Sequence, residues 1–445
     1  MRTTLKPDEL IDQESRLRRV NQTFAAAYPG EAGRRQPVHT VYGGAQLFRA
    51  DSARKVGAVA MHTLEEFAPD AAALAAATGI ADAALAEKVF ARVVEKLRRE
   101  PVEDFRIDYE DGYGARPAEE EDGHAVSVAR EVARGMAEGA LPHFIGLRIK
   151  PLNDEHHARS IRTLDLFLTT LLEETDGRLP DNFVITLPKV TVAEQVDYLG
   201  DVLQALEPRF GLPAGTLKFE VMVEVPQAIL GPDGRTALPE IIRAGEGRIT
   251  GAHFGTYDYT AGVGITAAHQ HMRHPACDFA KHVMQVSLSG TGVWLSDGST
   301  AVLPVPVHRG ESLTAAQAAE NRASVHRAWR QHYDDVRHSL VGGFYQGWDL
   351  HPAQLVTRYA AVFAFFLESV DSAGARLKNF VEKAAQATLV GDVFDDAATG
   401  QGLLNYFLRG INCGALTEEE TLTLTGLSLE ELRGRSFVKI LKNRR

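Results

Sequence analysis

Short runs of apolar and β-branched residues alternate along this chain with longer stretches whose apolar residues recur every three or four positions. The short runs are PVHTVYGG (37–44), DFRIDYEDG (104–112), HFIGLRIKP (143–151), NFVITLPKV (182–190), LKFEVMVEVP (217–226), RITGAHFG (248–255), TGVWLSDG (291–298) and the shorter, partly polar GGFYQGWDLHP (342–352). Between them lie helical patterns at 82–100, 122–139, 158–175, 192–210 and 314–335. A strand period alternating with a helix period predicts parallel βα units. Eight such runs predict a closed (β/α)8 TIM barrel. An open doubly wound sheet is the alternative, disfavoured because no GxGxxG follows the first run.

Three stretches lie outside the rhythm. Residues 50–79 form an Ala-rich insert after the first strand, and residues 293–307 read as a hairpin-like extension. Residues 351–380 read as one long helix or two with a strong apolar face. The expected division is an N-terminal helical segment (1–36), a barrel (37–375) and a C-terminal helical cap (376–445).

Composition narrows the functional classes. The chain has 445 residues, 44% of them hydrophobic and 24% charged, and a formal net charge of −11. That balance disfavours nonspecific binding to nucleic acid or to an anionic membrane. Two cysteines without a CxxC partner suggest neither a disulfide framework nor a structural zinc site. The charged first twenty residues do not read as a signal peptide, and no run of eighteen apolar residues occurs. A cytoplasmic protein is expected.

In a parallel barrel the chemistry sits where strands end. Asp108, Glu110 and Asp111 end the second run, Arg148 and Lys150 the third, and Lys189 the fourth. Glu224 ends the fifth, and Asp258 follows the sixth. Glu224 and Asp258 are 34 residues apart, about one βα unit, so adjacent strands bring them to one rim. Two close carboxylates either share a proton or hold a cation. With no cysteine on either strand, that cation is Mg²⁺ or Mn²⁺. The plainer reading pairs Glu224 with a lysine and makes Asp258 a helix cap.

Arg148, in an apolar strand, needs an anionic partner because its charge cannot be shed. A substrate carboxylate or enolate fits, and so does an ion pair with Asp108 or Glu110. His269, His271 and His274 form a loose cluster without HExxH spacing, and Pro275 separates His274 from Cys277. Neither a GxxxxGK[ST] loop nor a GxSxG elbow occurs.

In order, RIDYEDGYGARPAEEED, GLRIKP, LPKVTVAEQV, VMVEVPQAI, HFGTYDYTAGVG, GGFYQGWDLHPAQL and VGDVFDDAA resemble the strand motifs of the citrate lyase β-subunit and HpcH/HpaI aldolase superfamily, which includes malyl-CoA lyases. The resemblance spans roughly residues 37–400. It implies a (β/α)8 barrel and a metal-dependent carbon–carbon lyase or aldolase, working through an enolate of a 2-oxo acid or an acyl-CoA thioester. Glu224 and Asp258 match the metal carboxylates, and Arg148 matches the arginine that holds the enolate oxygen. Gly255, Thr256 and Tyr257 match the loop whose amides approach a substrate carboxylate. Asp395 matches an acid or base that reaches a neighbouring subunit's site, which implies a homo-oligomer. Asp111, Asp108 and Glu110 are further candidates for moving the proton. At the first strand VYGGAQLF replaces the RSxLxVPG that often contacts CoA, so CoA use is not implied there. A thioester hydrolase, a phosphoenolpyruvate-type enzyme and a noncatalytic metabolite-binding protein are the alternatives.

Overall fold

In the computed structural model, which describes residues 4, 7–30, 34–310, 312–383, 388–390, 393–395, 397–434 and 440, the eight runs become eight short strands. They are β1 (His39–Gly44), β2 (Asp104–Asp108), β3 (Phe144–Arg148), β4 (Phe183–Leu187), β5 (Phe219–Val223), β6 (Ile249–Phe254), β7 (Trp294–Ser299) and β8 (Gln346–Asp349). Each pairs in parallel with the next, and β8 closes on β1 through His39–Gly347, Thr40–Trp348 and Val41–Asp349. The (β/α)8 TIM barrel expected from the strand rhythm is the observed fold.

Alternation along each strand sorts the side chains into two environments. Phe105, Ile107, Ile145, Leu147, Ile185, Leu187, Val221 and Val223 are buried in the main apolar core with the surrounding helices. The alternate positions point into the barrel and are largely polar. Arg106 Nη2 donates to Glu220 Oε2 at 2.8 Å and Arg106 Nε to Thr186 Oγ1 at 3.2 Å, while Asp104 also pairs with this guanidinium. His253 Nε2 lies 2.8 Å from the same Glu220 oxygen, and Thr40 Oγ1 donates to Asp104 at 2.8 Å. Barrels of this kind are usually filled by branched aliphatic residues. Here a hydrogen-bonded charge layer forms the floor beneath the strand ends, and its members satisfy one another.

The Ala-rich insert folds as two helices, Ser52–Phe67 and Ala71–Thr78, before the helix Ala83–Arg99. Asp70 accepts from the Ala73 N–H at the start of the second, and Gly79 ends it at φ +78°. The apolar stretch at 351–380 divides into helices Gln354–Leu367 and Val370–Glu382. The hairpin expected at 293–307 does not form. β7 takes residues 294–299 with parallel neighbours on both sides, and residues 301–306 belong to no strand. Their backbone is tied elsewhere, with Ala301 N–H on Tyr257 Oη at 2.8 Å and Thr300 O accepting from Gln354 at 2.9 Å. Pro304 and Pro306 remove two donors that a hairpin would use.

A second, smaller apolar cluster gathers Val370, Leu377, Leu404, Phe407, Leu416, Leu427 and Leu432 from the C-terminal helices and the connections between them. The helix Ile11–Ala27 buries none of its residues. No helix among the described residues is long and apolar enough to cross a membrane.

At the end of the barrel where the strands begin, Glu207 accepts both Arg248 Nη groups, at 2.7 and 2.9 Å, and the Gly215 and Leu217 N–H groups, each at 2.8 Å. Burial works to raise this carboxyl, but the guanidinium and the two backbone donors outweigh it and hold it at about 2. A depressed carboxyl contributes stability above its unfolded pKa and loses it as pH falls toward the folded value. Glu207→Gln is therefore expected to lower the melting temperature at pH 7 and to flatten its decline between about pH 4.5 and pH 2. Thermal unfolding of both proteins across that range measures it, and parallel curves would remove Glu207 from the acid response.

Candidate active site

The C-terminal ends of β2 to β6 converge on one mouth. Arg148, the last residue of β3, is 1% exposed and is gripped from β2. Its Nε and Nη2 donate to Asp108 Oδ1 and Oδ2 at 2.7 and 2.6 Å. Its guanidinium carbon lies 4.7 Å from the Tyr42 ring centre and 5.4 Å from that of Trp348, on β1 and β8. Nη1 sits 2.9 Å from Glu110 Oε2, yet that oxygen receives no aligned hydrogen bond, so the two are ion-pair neighbours only. The ion pair that the sequence left open for Arg148 is thus formed. Nη1, directed toward the Met222 sulfur at 3.7 Å, is the least committed part of the fork.

Asp108 is saturated. Besides Arg148 it accepts the Glu110 N–H at 2.9 Å and the Gly112 N–H at 2.7 Å. A carboxylate with four donors is poorly placed to take a proton. Glu110 is buried beside it, and burial, ahead of the opposing charges of Arg148 and Lys189, raises its carboxyl. Asp111 is exposed and meets Lys189 Nζ at 3.3 Å. Tyr109 faces away, buried in the apolar core.

Glu224 stands one residue beyond β5 and is 2% exposed. Its Oε1 accepts the Lys189 N–H at 2.7 Å. Burial, and after it the charge of Glu110, push its carboxyl up to about 8. Asp258 lies in the first turn of the short helix Thr256–Gly262 that follows β6, with its side chain 46% exposed. The charge of Asp258 works in the same direction on the Glu224 carboxyl, after burial and Glu110. Both also meet Lys189, Glu224 through the backbone N–H and Asp258 through Nζ at 3.6 Å.

These residues fit a hard divalent cation. Their donors are carboxylate oxygens, and the carboxylates at the mouth (Asp108, Glu110, Asp111, Glu224 and Asp258) outnumber the basic side chains that meet them, Arg148 and Lys189. Gly255 keeps room beside the pair, since a Cβ there would meet the Glu224 side chain, with its Oε2 at 2.5 Å. Glu110 Oε2 is shut off from solvent and has no hydrogen-bond partner among the described residues. No three His, Cys, Asp or Glu residues among those described converge into a closed cage. Two carboxylates with open positions suit Mg²⁺, which usually keeps water or substrate in its shell.

Gly255 and Thr256 are buried at the start of the helix that carries Asp258. The Tyr257 hydroxyl is occupied structurally, donating to Ser299 O at 2.9 Å and accepting from Ala301 N–H, and burial pushes it up to about 12. Asp395 ends β10 (Val393–Asp395), which pairs antiparallel with β9 (Thr388–Val390); its side chain lies outside the described residues. His274 accepts from the Ala276 N–H as a helix cap, and the Cys277 thiol is buried and pushed up to about 12 by that burial.

A family model matches residues 17–440. The chain belongs to the family described as "Domain of unknown function (DUF6986)". A comparison with curated proteins finds no match for this DUF6986 chain. Among solved structures it is similar to a citrate lyase from Burkholderia xenovorans LB400, at 17% identity and a TM-score of 0.57, over 87% of this chain and 96% of that one. It also aligns with a Haloferax volcanii malate synthase in a lead(II) complex, at 15% identity and a TM-score of 0.45, over 92% and 98% of the two chains. CitE from Mycobacterium tuberculosis, in complex with magnesium, acetoacetate and coenzyme A, aligns at 13% identity and a TM-score of 0.46, over 86% and 99%. The first of these likenesses shows a shared barrel fold.

In the DUF6986 chain Lys189 stands at a strand end, as expected, but its contacts there were not foreseen, and Tyr42 and Trp348 were missed. The signal for the two aromatics was the period of two. Thr40 and Tyr42 on β1, and Gln346 and Trp348 on β8, are alternate residues on the inward face.

Proposed function

We propose that this protein is a divalent-metal-dependent carbon–carbon lyase or aldolase acting through an enolate of a 2-oxo acid or an acyl thioester. The observation that carries the reading is that Glu224 and Asp258 both meet Lys189 at one barrel mouth, Glu224 through the backbone N–H at 2.7 Å and Asp258 through Nζ at 3.6 Å, near the buried cation Arg148. A bound Mg²⁺ supplies Lewis-acid stabilisation of negative charge developing on a substrate oxygen. Glu224 and Asp258 are the residues that would hold it. Arg148, fixed by Asp108 and roofed by two aromatic rings, provides a preorganised positive charge in a water-poor setting. The start of the helix Thr256–Gly262 offers backbone donors to a substrate carboxylate.

Glu110 and Asp111 are the better-placed groups for moving a proton, because Asp108 has no free acceptor capacity. Asp395 from a neighbouring subunit completes this reading, with a homo-oligomer as the active form.

The test is proton exchange. Pyruvate, oxaloacetate and acetyl-CoA are incubated with the protein and Mg²⁺ in D₂O, and exchange of the C–H beside the carbonyl is followed by NMR. Exchange that requires Mg²⁺ and stops with a chelator is the expected result. No exchange with any of the three, under conditions where Mn²⁺ binding is measurable, would sink the enolate reading.

A further inference from the structure

Lys189 is placed unlike an ordinary surface lysine. It follows β4 and Pro188 with φ at +50°, a backbone conformation that residues other than glycine rarely adopt. That turn directs its backbone N–H onto Glu224 Oε1 at 2.7 Å while its ammonium reaches across the mouth. Nζ pairs with Glu110 Oε1 and lies 3.3 Å from Asp111 Oδ2 and 3.6 Å from Asp258 Oδ2. One residue therefore touches both of the carboxylates assigned to the cation, one through its backbone and one through its side chain. Left-handed residues that persist at such sites are held there by their surroundings.

We propose that Lys189 is a built-in competitor for the divalent cation, its ammonium neutralising Asp258 and Glu110 until a dication takes Asp258 and displaces it. The inference rests on Glu224 and Asp258 being the cation ligands. An ammonium 3.6 Å from Asp258 would be repelled by a dication held on the same carboxylate. The side chain is 30% exposed and can swing toward solvent or settle on Asp111, which is itself exposed. Cation binding is then an exchange of one charge for another, and Lys189 sets its affinity.

The experiment has two arms on the full chain. Mn²⁺ affinity is measured by electron paramagnetic resonance for the wild type, Lys189→Met and Lys150→Met. Lys150 is a basic neighbour committed to Tyr109 O at 2.7 Å and Glu121 at 3.2 Å. Tenfold or tighter binding in Lys189→Met, with Lys150→Met changed less than about threefold, is expected. Wild-type protein is also acetylated briefly with and without Mn²⁺, and Lys189 is quantified by peptide mass spectrometry. Its labelling should rise severalfold when the cation is bound. Unchanged or weaker Mn²⁺ binding in Lys189→Met, or labelling that does not rise in the wild type, overturns the proposal. Loss of Mn²⁺ binding in Glu224→Gln and Asp258→Asn would show that the ligand assignment survives such a failure; if both variants bind Mn²⁺ normally, the assignment itself fails.

Discussion

Glu224→Gln is expected to cost at least about 10²–10³-fold in metal-dependent turnover, the range lost when one preorganised stabiliser of transition-state charge is removed. The same change should spare the fold of the metal-free protein, and above neutral pH should stabilise it. The amide keeps an oxygen for the Lys189 N–H at the Glu224 Oε1 position, so the local hydrogen bond persists. The sign follows from proton counting. Burial first, then Glu110, raises the Glu224 carboxyl to about 8, well above the unfolded value. Between about pH 4.5 and pH 8 the folded protein therefore binds more protons at this group than the unfolded chain does. Its contribution to stability is present at the acidic end and is lost as pH rises. Glutamine does not titrate and has no such slope. Melting curves in EDTA at pH 5 and pH 8.5 should show variant and wild type nearly together at the lower pH, with the variant ahead at the higher. Undiminished turnover would remove Glu224 from the cation site. A variant destabilised equally at both pH values would instead remove the strained buried charge.

The barrel was legible because its outward positions are apolar. Phe105 and Ile107, Ile145 and Leu147, and Val221 and Val223 supply the runs that mark strands between helical stretches, and these pack in the main core. Position in the chain then led to the mouth, since strand ends are where a parallel barrel exposes backbone and side chains together. Glu224, Asp258 and Arg148 stood among the strand-end residues for that reason, and the resemblance supplied their expected roles. The polar floor was not legible. Asp104, Arg106, Glu220 and His253 are charged or ionisable residues inside strands, and single-strand patterns show neither which charges meet across a barrel nor that each finds a partner. The pairing is a property of closure.

The contacts of Lys189, though not its place at a strand end, were illegible for a different reason. Its role depends on a left-handed backbone after Pro188 that aims amide and ammonium at different carboxylates, and no residue-type preference announces that for lysine. The hairpin expected at 293–307 failed because alternating apolar residues were read without their partners. β7 already has a parallel neighbour on each side, and the prolines beyond it close off further ladder bonding.

Arg148→Met should destabilise the protein by about 3–5 kcal/mol, the range for a buried ion pair that loses one member. Asp108 would keep its two backbone donors but lose both guanidinium bonds at a site with 1% exposure, and Glu110 would lose its nearest buried cation. Arg148→Lys should recover little, because a single ammonium cannot reproduce the paired bonds to Asp108 Oδ1 and Oδ2. The informative variant is the double change Arg148→Met with Asp108→Asn. It removes the stranded charge, so urea unfolding should place it closer to the wild type than Arg148→Met alone, a coupling that a double-mutant cycle quantifies. Turnover should stay lost in both. A purely structural ion pair predicts that activity returns with stability in the double variant, whereas an arginine that also faces the reacting oxygen predicts that it does not. A single variant within about 1 kcal/mol of the wild type would contradict the buried-pair account altogether.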